Sequence, residues 1–390
     1  MPFWRRRQPR SQFSISDPVL AEYLGAGTPS YSGIAVGETT ALGLSAVYRA
    51  VSLISGTIAQ LPMRTLRDVE GTRTRVNSFL DQPGGPDGPT PFEWRETVLL
   101  HLLLHGNAFL VHAVNGAGGL AALIPVHPLM VTVEADPGSP GGKRFITTST
   151  SGEQEFWDAT TMTHIPGLCL DGLRGLSPIS VARNSLGTAV AGDRAAARMF
   201  GNGALISGIV TPEDDLPEEE AKVIKESLNR KIAGWDNAGD IAVINRKLKF
   251  TPWTMSAEDA QFLQSRQFQI EEIARWYGIP PHALMQTEKQ TSWGTGVAEQ
   301  NRGLSRTVLA PWCARIEQRL SRLLPAPRFV EFDMAGLERG SPAEEIDLLI
   351  KQVDAGLLTL NEARKIRNLP PVPGGDAVPS TAPEPEAVPA

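Results

Sequence analysis

The chain has 390 residues, is 41% hydrophobic and 21% charged, and carries a net charge of -6. That length predicts two or three domains with room for a sizeable core. The acidic balance argues against tight, sequence-independent binding to nucleic acid, which normally needs a basic face that displaces counterions from phosphates.

Residues 1–39 open with MPFWRRRQPR and stay rich in Arg, Ser, Gly and Pro. They read as a flexible basic arm, with Arg5, Arg6 and Arg7 in a solvated run. No apolar stretch follows the basic start, so a secretory signal is not expected. From Leu44 to Leu61 the apolar residues Val47, Val51, Ile54, Ile58 and Leu61 recur every three to four positions. This spacing predicts an amphipathic helix that Pro62 ends. After the loop DQPGGPDGPTP, Thr90 is the expected N-cap and Pro91 the first residue of a second helix running to His105, with Glu93 in its first turn. Its apolar run, near Val98 to Leu104, is broken by His101 and is too short to span a bilayer. AFLVHAV, GLAALIP and LMVTVEA then read as strands, and KRFITTST with EQEFW as a hairpin around Ser151-Gly152.

Ser177-Pro178 opens a helix predicted to run to Phe200 as one rod, roughly 35 Å long at 1.5 Å per residue. Small residues dominate it, among them Ala182, Gly187, Ala189, Gly192 and Ala196. Glycine inside a helix costs about 1 kcal/mol against alanine, so a packing reason is expected. Residues 204–255 read as strand, helix and returning strands. Asp214, Asp215, Glu218, Glu219 and Glu220 gather at the start of that helix, where the helix dipole favours acids. A further helix covers Ala257–Tyr277 and stops at Gly278 and Pro280-Pro281. The polar segment TEKQTSWGTG follows, then a long helix from Val297 to Leu324 bent near Pro311. Ser341 with Glu344 and Thr359 with Glu362 have the spacing of capping boxes. Residues 371–390 are Pro-rich and acidic and predict a disordered tail.

Catalytic signatures are missing. Gly141-Gly142-Lys143 is followed by Arg144 rather than the hydroxyl of a phosphate-binding loop. Ser177 precedes a proline and suits a cap better than a nucleophile. The best metal candidate is His101 with His105, one helical turn apart, and His112 beyond. No acid lies between the pair, and three or four ligands are normally needed, so interior or interfacial histidines are the preferred reading. Cys169 and Cys313 form neither a disulfide framework nor a metal knuckle, which suggests a reducing compartment. No cofactor or metal is expected. These residues describe an assembly protein better than an enzyme.

Five strings, in order, resemble the portal (head-to-tail connector) proteins of tailed bacteriophages, in the siphophage-like group. They are SAVYRAVSLISGTIAQLPMR, FEWRETVLLHLLLHGNAFL, GLRGLSPISVARNSLGTAVAGDRAAARMFGNGA, AQFLQSRQFQIEEIARWYGIPPHALM and GLLTLNEARKIRNLPPVPGGD. Ile279 stands where valine is commoner in the family. The resemblance implies an α+β portal fold: an α/β wing over residues 40–176, stem helices at 177–203 and 256–284, and a small α/β clip at 204–255. A channel loop would occupy 285–296, a long helix returning to the wing 297–340, and a helical crown 341–370.

The resemblance also implies a homo-oligomeric ring of about twelve copies at a capsid vertex of the virion. Subunits would be made in the host cytoplasm. Ala182, Gly187, Ala189, Gly192 and Ala196 would pack neighbouring subunits. Gln286, Thr287, Glu288, Lys289, Gln290, Thr291, Ser292 and Trp293 would approach double-stranded DNA in the channel. Asp214, Asp215, Glu218, Glu219 and Glu220 would help the clip dock the terminase large subunit and then a head-tail adaptor. The major capsid protein and a scaffold would be further partners, with no membrane involved. A gene transfer agent or a domesticated prophage would use the same kind of portal. A packaging ATPase or nuclease is the different-class alternative, and the missing phosphate loop argues against it.

Overall fold

The computed structural model describes residues 28–149, 152–201, 208–212, 248–252, 257–285, 303–338 and 342–377. The chain divides into two units, residues 1–291 with 307–332, and residues 292–306 with 333–390.

The first unit opens with a short hairpin, β1 (Thr28–Pro29) and β2 (Ala35–Val36), followed by α1 (Glu38–Leu42) and α2 (Ser45–Ala59). The basic arm is therefore shorter than its composition suggested: residues 28–39 are folded. The hairpin is fixed by its own hydrogen bonds, with the Ser30 hydroxyl on the Ile34 carbonyl at 2.9 Å. Strands β3 (Met63–Val69) and β4 (Thr72–Arg75) form a ribbon. Helix α3 (Pro91–His105) starts at a reciprocal capping box: Glu93 N–H donates to the Thr90 hydroxyl, and Thr90 N–H donates to the Glu93 carboxylate. Its carboxyl sits below the usual range because Thr90 donates to it.

Helices α2 and α3 pack face to face. Val47, Ile54, Ile58, Trp94, Leu99 and Leu102 are fully buried, and each large aliphatic side chain contributes about 1.5–3 kcal/mol. The Arg95 guanidinium donates to the Ala59 carbonyl at 2.8 Å and so closes the C-terminal end of α2. Trp94 buries its indole while its Nε1 donates to the Leu123 carbonyl at 2.7 Å.

Strands β5 (Asn107–Val114), β6 (Leu120–Val126), β7 (Val131–Ala135), β8 (Lys143–Thr148), β9 (Gln154–Trp157) and β10 (Met162–Pro166) follow. They make two antiparallel sheets, ordered β10-β5-β6 and β7-β8-β9. Phe109, Val111, Val126, Val131, Phe145 and Met162 form their shared core. The β8–β9 hairpin turns through Gly152, as the sequence indicated. The stretch LMVTVEA is only partly strand, because a 3-10 turn over Pro128–Met130 precedes β7. Lys143 donates to the carbonyls of Gly172 and Leu173 at 2.7 and 3.2 Å, a structural use of the one lysine that follows a Gly-Gly pair.

The rod expected from Ser177 to Phe200 is two pieces, α4 (Pro178–Val181) and α5 (Arg183–Gly201). The break falls at Ala182, with φ -82° and ψ 5°. Beside it the Ser177 hydroxyl both caps α4 and donates to the distant Leu104 carbonyl at 2.9 Å, fixing the first turn against α3. Strands β11 (Gly208–Pro212) and β12 (Leu248–Pro252) pair antiparallel, and α6 (Ala257–Tyr277) packs on α5 and α2. A π-turn over Ser305–Leu309 leads into α7 (Ala310–Ser321), which starts at the proline expected to bend this helix. Strand β13 (Arg328–Phe332) then pairs with β3, giving the order β13-β3-β4. Cys313 is buried in α7 and its thiol is pushed up to about 12 by burial, which makes it inert.

The second unit contains α8 (Ala335–Glu338), α9 (Pro342–Asp354) and α10 (Leu360–Ile366). The Thr359–Glu362 capping box is formed; Ser341 of the other proposed box lies outside the described residues. Residues 371–377, expected in a disordered tail, are folded onto α10. Asn361 accepts from Val372 N–H at 2.8 Å and donates to the Val372 carbonyl and the Asp376 carboxylate. One buried-edge amide thus holds a segment whose composition alone gave no core. Among the described residues no helix is long and apolar enough to cross a membrane.

Candidate functional site

The two long helices of the first unit, α5 and α6, pack against each other, and the β11–β12 ribbon lies between them in sequence. Asp193 on α5 and Arg266 on α6 pair at 2.6 Å, both half-exposed. Such a surface pair contributes little energy and mainly fixes register. The segment between the ribbon strands, with Asp214, Asp215, Glu218, Glu219 and Glu220, lies outside the described residues. So does the polar segment from Gln286 through Thr287, Glu288, Lys289, Gln290, Thr291 and Ser292 to Trp293. Its entrance is described. After α6, a 3-10 turn over Pro281–Leu284 is tied to α2 by the Arg49 side chain, which donates to the Ala283 carbonyl at 3.3 Å. Met285 then leaves with φ 64° and an exposed side chain.

The small residues of α4 and α5 were expected to face a neighbouring subunit. Within one chain these residues already have packing partners. Ala182, Ala189 and Ala196 are buried within the chain. A side chain at Gly187 would overlap the Ser30 hydroxyl of the β1–β2 hairpin, and one at Gly192 would meet the Gln269 amide of α6 at 3.6 Å. Tyr31 N–H also donates to Asn184 on α5, at 3.2 Å. These residues therefore have a packing reason within the chain itself. The outward side of α6 instead exposes Phe268 and Trp276, with the Arg275 guanidinium 5.2 Å from the Phe268 ring centre.

Where α3 gives way to β5, Gly106 adopts φ 68°, and any β-carbon there would overlap the Leu176 carbonyl. Asn107 is fully buried beside it. Its Oδ1 accepts from Gly175 N–H at 2.7 Å and from the His164 ring at 3.0 Å. Its Nδ2 donates to the carbonyls of His105 and Gly175, both at 2.8 Å. All four hydrogen-bonding positions of the amide are filled, which welds the helix end, the sheet and the approach to α4 into one joint. His164 stacks on Phe109 at 4.5 Å, and burial pushes its pKa down to about 3, so the ring is neutral and donates through Nε2.

A second polar cluster lies one residue away. The Glu38 carboxylate, at the start of α1, accepts from His105 Nε2 at 3.0 Å and from His127 Nε2 at 3.2 Å. Burial alone would raise the Glu38 pKa; the two histidines outweigh it and hold the carboxyl well below the ordinary range. His101 sits edge-on to His127 at 5.4 Å and is pushed down to about 3 by burial. The pairing of His101 with His105 was visible in the sequence. The acid 67 residues before His105 was not, nor was His127. His112 belongs elsewhere, bonded to the Thr160 carbonyl and the Thr163 hydroxyl.

Residues 45–368 match the family model described as phage portal protein. The chain is 35% identical to the probable portal protein of Streptomyces phage phiC31, covering 92% of this chain and 82% of that one. It is 31% identical to the portal protein of Enterobacteria phage HK97, over 94% and 87% of the two chains. Among solved structures, it resembles a chain from the neck of an empty gene transfer agent particle, with TM-score 0.62, 24% identity, and coverage of 92% of this chain and 100% of that one. A crystal structure of an HK97-family phage portal protein from Corynebacterium diphtheriae matches with TM-score 0.55 and 20% identity, over 77% and 96% of the two chains. With an α+β fold of that shape and a match along nearly its whole length, the chain belongs to the phage portal protein family.

Proposed function

We propose that this chain assembles into a closed ring of about twelve copies at one capsid vertex of the virion, and that double-stranded DNA passes through it during packaging and ejection. The observation that carries the reading is the end-to-end match to portal proteins at 35% and 31% identity. A related fold occurs in a particle neck solved with twelvefold symmetry. In a head-to-tail ring each subunit presents two different faces to its neighbours. Phe268 and Trp276 on the outward side of α6 are the residues assigned to one of these faces. The role is structural: the ring guides DNA and carries out no chemistry on it. The clip docks the terminase large subunit and later a head-tail adaptor, while the wing meets the major capsid protein and a scaffold. A gene transfer agent particle would use the same ring in the same way.

Negative-stain microscopy of the purified protein tests this, with mass measurement in solution. The expected result is a ring with a central hole wide enough for a duplex, dispersed to folded monomers by Phe268→Glu with Trp276→Glu. A monomer at every concentration would overturn the ring.

A further inference from the structure

We propose that Glu38, His105 and His127 form a divalent transition-metal site of the zinc class inside the wing. The proposal is independent of the ring. Three ligands of types suited to zinc converge: one carboxylate and two imidazoles, each able to offer one atom, all within 4.8 Å of one another. The two Nε2–Oε2 separations are 3.0 and 3.2 Å. Ligands at about 2.0–2.1 Å in a tetrahedral shell are separated by about 3.3 Å, so these two edges need almost no adjustment.

The side chains are 10%, 9% and 20% exposed, so the site is shielded yet reachable. The three ligands come from separate places in the chain: the start of α1, the end of α3 and the residue after β6. They are held by elements that are themselves tightly packed, so the geometry is preorganised.

A second observation points the same way. The Nδ1 of His101, beside the cluster, is buried without a hydrogen-bond partner. Buried ring nitrogens are normally satisfied; among the described residues His164 Nδ1 is also without a partner, but only the His101 nitrogen lies beside this cluster. Three protein ligands leave a fourth position for water, and a metal-bound water would give that nitrogen its partner. The nitrogen and oxygen donor set excludes calcium or magnesium as the preferred ion. The ion would clip the α1 segment to the wing core, a structural role.

The full-length protein, stripped with a chelator and dialysed, is titrated with zinc(II) and with cobalt(II). The expected result is about one ion per subunit, a rise of several degrees in melting temperature with zinc, and a four- or five-coordinate visible spectrum with cobalt. Glu38→Gln and His127→Ala lose the ion, and His112→Ala keeps it. X-ray absorption on the zinc-loaded wild type gives imidazole and oxygen neighbours and no sulfur. That measurement decides the matter even where a variant fails to fold. Failure to bind near one ion per subunit, sulfur in the shell, or full binding by a folded His127→Ala protein would each overturn the site.

Discussion

At Asn107, four hydrogen bonds from one buried amide replace what would otherwise be three unsatisfied backbone groups and an orphaned ring nitrogen. Gly106 is required beside it because the chain must turn through positive φ with the Leu176 carbonyl pressed against it. His164 makes this joint sensitive to pH. Its folded pKa is lowered to about 3 by burial, the dominant cause, aided by repulsion from Lys143, Arg319 and Arg174. Above about 6.5 the ring is neutral both folded and unfolded, and no stability depends on it. As pH falls from about 6.5 toward 3, only the unfolded chain takes up the proton, so stability is lost at up to about 1.4 kcal/mol per pH unit. His164→Gln, which keeps a donor for Asn107 but cannot titrate, should flatten part of that slope. Urea unfolding midpoints between pH 7 and pH 4 measure it; identical slopes for both proteins would show that His164 is not buried as a neutral donor.

At the scale of elements, the hydrophobic period and the caps were readable in advance. Val47, Val51, Ile54 and Ile58 marked α2, and Thr90, Pro91 and Glu93 marked the start of α3, because these signals are local. The kink at Ala182 and the seat of the β1–β2 hairpin on α5 were not readable, since they involve contacts distant in sequence, Ser177 with Leu104 and Tyr31 with Asn184. The intrachain partners of the small residues of α5 were not readable for the same cause: spacing shows that a helix has a narrow face but not what fills it. Of the three ligands proposed for the metal, only His105 was legible, through its helical spacing from His101, while Glu38 and His127 arrive through the fold. Gly187 gives the cleanest test. Gly187→Ala gains about 1 kcal/mol of helix propensity, but its methyl displaces a Ser30 hydroxyl already bonded to Ile34 and Ser32, and overpacking costs about 1–3 kcal/mol. The single variant should be destabilised by about 1 kcal/mol. Adding Ser30→Gly should recover more than the sum of the separate effects predicts, as coupled neighbours do. Strict additivity in a double-mutant cycle would place the hairpin elsewhere.

For the whole molecule, net charge constrains how DNA can be handled. Each subunit carries -6, and a ring multiplies that value, so a passing duplex meets weak repulsion within a Debye length of about 8 Å. Motion through the channel then encounters no deep electrostatic trap, which strong phosphate binding would create. In the segment proposed to face the channel, Glu288 stands beside Lys289 in sequence and keeps the local charge near neutral, and we propose that Lys289 makes a transient phosphate contact. Packaging by a motor tests this assignment directly. On that proposal Lys289→Ala removes one weak contact per subunit, and rings should form normally. Packaging velocity, or retention of DNA after filling, should change measurably, and the change should shrink as salt is raised, because the contact is a screened one. If velocity and retention match the wild type at low salt, DNA does not touch this lysine, and the channel guides the duplex by repulsion and shape alone.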